Sequence, residues 1–291
     1  MGKIAIVTDS NSGISQKHGE ELGIYVLPMP VYINDELHYE DITFTQEDFY
    51  KKIAEDADVK TSMPSPGDMM DLWDKALSEN DFVVHIPMSS SLSGTCEAAT
   101  MLAEGDYKGK VFVVDNQRIS ISMLQSILDA ITLRDAGKTP EEIKEILEAN
   151  KFESFILLSV DTLKYLKKGG RISPAAAALG TMLNLKPVLS YRGEKIEPHA
   201  KVRGSKAAKK AILAGIEAEM KEKFGDDLKN VLLQTAHSCT EEEGQLWLEE
   251  VATHFPQFKK EDILVDKLAL SVACHTGPGV VALACTKKIS I

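Results

Sequence analysis

An apolar run, Phe82-Val83-Val84-His85-Ile86-Pro87, empties into Met88-Ser89-Ser90-Ser91-Leu92-Ser93-Gly94-Thr95, and that loop feeds an alanine-rich stretch from Glu97 to Glu104. The order of strand, hydroxyl-rich loop and helix start constrains the chain to an α/β arrangement. The first N–H groups of a helix have no partner inside it, and Ser or Thr hydroxyls beside them add donors, so such a loop can hold an anion. No Lys or Arg occurs between Lys75 and Lys108, and the Gly-Lys signature of a nucleotide triphosphate loop is absent. A site of neutral donors suits one carboxylate or one phosphate better than a polyphosphate.

The first half of the chain repeats that alternation. Strand signals lie at Lys3–Asp9, Tyr25–Ile33, Asp81–Ile86, Lys110–Asp115 and Phe155–Val160. Helix signals lie between them. Thr45 and Asp48 stand at cap spacing, Ser65-Pro66-Gly67-Asp68 opens a helix, and Ile119–Ala136 is stopped by Gly137. Apolar strands alternating with helices predict a parallel sheet covered on both faces. After Asp161 the pattern changes. Thr162–Lys168 reads as a helix ending at Gly169-Gly170, Pro174–Leu183 is small and alanine-rich, and Pro187–Tyr191 with Lys195–Lys201 flank a turn at Arg192-Gly193-Glu194. Leu264–Ala273 and Val280–Cys285 read as strands. With 291 residues, two domains are expected: a parallel-sheet α/β domain over 1–160 and a smaller α+β domain over 161–291.

The formal net charge of -11 argues against non-specific nucleic-acid binding. The charge is uneven. Lys164–Lys210 holds 12 Lys or Arg against two acids, a net of +10. A solvated basic face and a docking surface for something anionic are both open readings of that run. Cys96, Cys239, Cys274 and Cys285 show no metal spacing and read as small buried residues in a reducing compartment, with no metal expected. The apolar start at Ile4 is cut off by Thr8-Asp9 and reads as a strand, not a signal peptide. A cytoplasmic protein is the expectation.

In open parallel sheets, ligands sit beyond the carboxyl ends of the strands. Thr8-Asp9-Ser10, Lys60–Ser65 and Ser89–Thr95 are hydroxyl-rich loops of that kind, although each could do no more than cap its own turn. Cys274-His275-Thr276-Gly277-Pro278-Gly279 places an imidazole beside a Gly-Pro-Gly turn, and Lys201-Val202-Arg203-Gly204 offers a guanidinium fork. No Gly-x-Ser-x-Gly elbow or HExxH motif is present.

These pieces together resemble the DegV family of bacterial fatty-acid-binding proteins, which includes the FakB-type subunits of fatty acid kinase. The matching residues are Thr8-Asp9-Ser10, Thr61-Ser62-Met63-Pro64-Ser65-Pro66, the run from Ile86 to Thr95, the run from Val160 to Ile172, Lys186-Pro187, Lys201-Val202-Arg203-Gly204 and His275-Thr276-Gly277-Pro278-Gly279. They stand in family order and span nearly the whole chain. The resemblance implies a DegV-like fold and a long-chain fatty acid buried between or within the domains. It implies a carboxylate held by Thr61, Ser62, Ser93 and Gly94, with His275 close by. A separate kinase subunit would supply ATP, with Arg203 and His275 near the incoming phosphate; no cofactor is implied for this chain. The Lys164–Lys210 segment would then dock the kinase or touch a membrane surface, with no nucleic acid involved. A stand-alone enzyme acting on a small phosphorylated or carboxylated substrate, and a lipid carrier without a kinase, are the other readings.

Overall fold

The computed structural model describes residues 2–179 and 185–290. The end of the alanine-rich Pro174–Leu183 stretch therefore lies outside the described residues. Chain order begins β1 (Ile4–Asp9), α1 (Gln16–Leu22), β2 (Tyr25–Leu27), β3 (Val31–Ile33), β4 (Glu36–His38), α2 (Gln46–Ala54), β5 (Val59–Thr61) and α3 (Pro66–Leu77). It continues with β6 (Phe82–Ile86), α4 (Thr95–Glu104), β7 (Val111–Val113), α5 (Ser120–Asp135), α6 (Pro140–Ala149), β8 (Ser154–Ser159), α7 (Lys164–Gly169) and α8 (Pro174–Ala177). It ends with β9 (Leu185–Tyr191), β10 (Glu197–Arg203), α9 (Ser205–Phe224), β11 (Val231–His237), α10 (Glu241–His254), β12 (Leu264–Lys267), α11 (Leu270–Thr276) and β13 (Val281–Lys287).

Four strands in the order β2-β1-β6-β7 form the expected parallel sheet. Alternate residues of β1 face two different cores. Ala5 and Val7 pack with Met69 and Trp73 of α3, whereas Ile6 packs with Ile121, Met123 and Ile127 of α5. Both faces are thus covered, which is why these strands read as continuous apolar runs. Tyr25–Ile33 is not one strand. Pro28 and Pro30 interrupt it, and each lacks the N–H that a ladder needs. β2 stays in the parallel sheet, and β3 joins a small antiparallel sheet, β4-β3-β5.

The second large sheet runs β10-β9-β8-β13-β11-β12 and is mostly antiparallel. β8 belongs here, between β9 and β13, and not to the parallel series in which the sequence placed it. Its Phe155 and Leu157 face α9 and its Ile156 and Leu158 face α5. A central antiparallel strand buried on both faces has the same apolar pattern as a parallel one, so only pairing distinguishes them. α5 lies between the two large sheets, touching β1 on one side and β11, β12 and β13 on the other. The core that runs through it makes the two sheets one hydrophobic body.

Candidate functional site

The hydroxyl loop after β6 spends most of its oxygens on structure. Ser91 Oγ donates to Glu194 O (2.8 Å) and Ser89 Oγ donates to Gly193 O (3.4 Å), which docks the β9–β10 turn. Ser90 Oγ donates to Asp115 Oδ2 at 2.5 Å. Ser93 Oγ, 2.9 Å from Thr95 Oγ1, also accepts the Thr95 N–H at the start of α4. Ser93 alone among these serines lines the cavity described below. Gly94 is the N-cap of α4 and faces the Met63 sulfur; it is not part of the cavity wall.

His275 sits in the last turn of α11, and Leu270–Ala273 belongs to that helix as well. The sequence reading, which made this segment a strand with His275 at its end, is corrected here. α11 is buried nearly all round, so its residues carry no helical alternation of polar and apolar positions. His275 Nε2 lies 2.8 Å from Thr61 Oγ1 at the end of β5. The opposite edge of the ring rests on Gly169 of α7, where a Cβ would overlap Nδ1. Burial, then the charges of Arg171 and Lys168, push the His275 pKa down to about 4. The ring is therefore neutral at neutral pH, with one nitrogen donating and the other accepting.

Thr61, Ser62, Ser93 and His275 line one cavity of about 70 Å³, joined there by Arg171, Asn11 and Ser271. A second cavity of about 70 Å³ adjoins it through five common residues, Leu92, Ile119, Ile196, Val272 and Thr276. The rest of its wall includes Ile121, Ile156, Leu158, Ala236, Val280 and Ala282. A cavity with polar groups on its wall thus adjoins an apolar one set against β8, β11 and β13.

Arg171 changes the electrostatics expected from the sequence. The stretch between Lys75 and Lys108 lacks bases, but the guanidinium arrives from the other half of the chain and makes the mouth cationic. Its Nε donates to Leu92 O at 3.2 Å, and its Nη1 donates to Gly169 O. It lay within the Val160–Ile172 match with no role assigned, and only the approach of α7 to the hydroxyl loop reveals its place. Arg203 is not brought to this mouth. It is exposed at the end of β10, paired in register with Leu185. Within Lys164–Lys210, five bases pair with acids: Lys164 with Asp56, Lys168 with Asp58, Lys186 with Asp161, Arg192 with Glu219 and Lys209 with Glu250. The net +10 of that segment is in good part neutralised locally. A larger groove of about 850 Å³ lies between α9 and α10, with mixed charge from Lys206, Lys210, Glu243 and Glu249, and holds none of the candidate residues. Among the described residues no group of three or more His, Cys, Asp or Glu is placed to hold a metal, and no helix is long and apolar enough to cross a membrane.

Comparison with known proteins places the fold. The family described as uncharacterised protein, DegV family, matches residues 3–288. A DegV family protein from Thermus thermophilus, described for its fatty acid binding, is 33% identical, with 98% of this chain and 99% of that one covered at a TM-score of 0.87. DegV from Bacillus subtilis, described as a fatty acid binding protein, is 26% identical with a TM-score of 0.83, covering 99% and 100%. A DegV domain-containing protein from Deinococcus radiodurans is 29% identical over 97% of each chain.

Proposed function

Because the chain belongs to the DegV family, we propose that it holds a long-chain fatty acid, carboxylate at Thr61, Ser62, Ser93 and His275 and tail in the apolar channel, and presents that carboxylate to a separate ATP-dependent kinase subunit. The observation that carries the reading is that the cavity lined by Thr61, Ser93 and His275 shares wall residues with a second one walled mainly by Ile, Leu, Val and Ala. Each buried CH₂ of a tail contributes roughly 0.8 kcal/mol, so such a channel supports tight binding without further polar contacts. Ligand sites usually hold about 300 Å³ or more, so a long tail must part the walls. Met29, Met63 and Met88 line the mouth and are the flexible side chains for that movement.

At the mouth the desolvated carboxylate needs charge-assisted hydrogen bonds. The Ser93 hydroxyl and the one hydrogen that the Thr61–His275 pair keeps free supply them, and Arg171 balances the charge. In the kinase step a carboxylate oxygen attacks the γ-phosphorus of ATP on the partner, a new O–P bond forms, and the bond to ADP breaks. The acyl phosphate product would enter phospholipid synthesis. Arg203, with Lys206 beside it in α9, is exposed and suits the docking of an acidic partner surface better than contact with the phosphate.

Lipids extracted from the purified protein should contain fatty acid by mass spectrometry, and the delipidated protein should take up palmitate. Finding neither would overturn the binding reading. Arg203→Glu with Lys206→Glu should weaken acyl phosphate formation with the kinase while palmitate affinity holds. Equal loss of both would sink that division of roles.

A further inference from the structure

Asp9, Asn11 and Ser271 are 0%, 2% and 4% exposed. The Asp9 carboxylate accepts the Met88 N–H (2.8 Å), the Asn11 N–H (3.0 Å) and Asn11 Nδ2–H (2.7 Å). A carboxylate only accepts, so Asp9 fixes which way the Asn11 amide points. The amide nitrogen faces Asp9, and Oδ1 faces α11, where it accepts the Ser271 Oγ–H at 2.7 Å. Ser271 and His275 are four residues apart and therefore share one face of α11.

We propose that Asp9 and Asn11 are positioning residues for His275: through Ser271 they set the rotation of α11 and so hold the imidazole against Thr61. The inference rests on the fatty-acid reading of the mouth and adds to it a role for the loop after β1. It also defines Ser271. Its single hydrogen is committed to Asn11, so toward the cavity it lines Ser271 presents lone pairs only. A carboxylate is turned away from that side and toward Thr61, Ser93 and His275.

The test uses the full chain and two readouts. In ligand-free protein, the ring ¹⁵N signals of His275 should show one fixed tautomer. Ser271→Ala and Asn11→Leu should move them toward the averaged values of a mobile ring, and Ser271→Thr should restore them. In binding, both damaging variants should lower the palmitate-to-hexadecanol affinity ratio about tenfold, since the alcohol uses the same channel without a carboxylate. Unchanged ring signals and an unchanged ratio in a folded Ser271→Ala protein would overturn the proposal. If wild-type protein took up neither palmitate nor hexadecanol, the fatty-acid reading would fail, and the ring signals would still decide whether the relay positions His275.

Discussion

Gly169 and His275 touch so closely that no Cβ fits between them: one built on Gly169 would overlap Nδ1 and lie 3.0 Å from Cε1 of the ring. Gly169 has no positive φ to satisfy, so its lack of a side chain is explained by the close approach of α7 to α11. The same pair of helices meets again where Tyr165 lies over Gly277.

Gly169→Ala should therefore push the imidazole off Thr61. Overpacking of this kind costs roughly 1–3 kcal/mol of stability. Palmitate affinity should fall by about tenfold if one charge-assisted hydrogen bond is lost. Calorimetry on the variant checks this, and wild-type affinity would show that the ring position is immaterial.

Thr61→Val removes the hydroxyl and keeps the shape. Nε2 of His275 then loses its partner at 2.8 Å, and the carboxylate loses a donor. The expected loss in palmitate affinity is about 1–3 kcal/mol, with hexadecanol affected less. Thr61→Ser should recover most of the loss. A Val variant that binds palmitate normally would remove Thr61 from the site.

How much of this was legible depended on distance along the chain. The cap of α3 was local: Ser65 and Asp68 exchange hydrogen bonds across three residues, and Pro66 occupies the first turn. The β9–β10 turn was local too, with Gly193 at φ 99°. The partners of β8 and the helical state of Leu270–Ala273 were not, because uniformly apolar segments carry no period to read. Thr61, Ser62, Ser93 and His275 were named from a resemblance, and they share one cavity wall. Arg171 was missed because its position depends on how α7 meets the hydroxyl loop, a contact 79 residues apart in sequence.

Ala236 of β11 and Ala282 of β13 face each other in register and both line the apolar cavity. Leu at either position should fill the space that the end of a tail would occupy. Affinity for stearate should then fall more than affinity for laurate, reversing the order expected from buried CH₂ groups. Equal changes for both acids would place the tail elsewhere.

His85 adds an acid-destabilising contribution. It is 0% exposed in the middle of β6, neither ring nitrogen has a hydrogen-bond partner, and the Trp73 ring packs edge-on at 5.6 Å. Burial pushes its pKa down to about 3. The unfolded chain protonates this ring below pH ~6.5 while the folded chain does not, so stability falls as pH drops from there toward about 3. Between pH 7 and 5 the loss from this one group is about 2 kcal/mol. Buried Asp9, Glu40 and Asp266, raised to about 6, 7 and 7, act in the opposite sense, stabilising at low pH and losing that contribution as pH rises through those values. They are common to wild type and to His85→Leu and cancel in the comparison. Urea unfolding at the two pH values should show the change from pH 7 to 5 to be about 2 kcal/mol less favourable in wild type than in the variant. Equal changes in the two proteins would mean that His85 is protonated in the folded state.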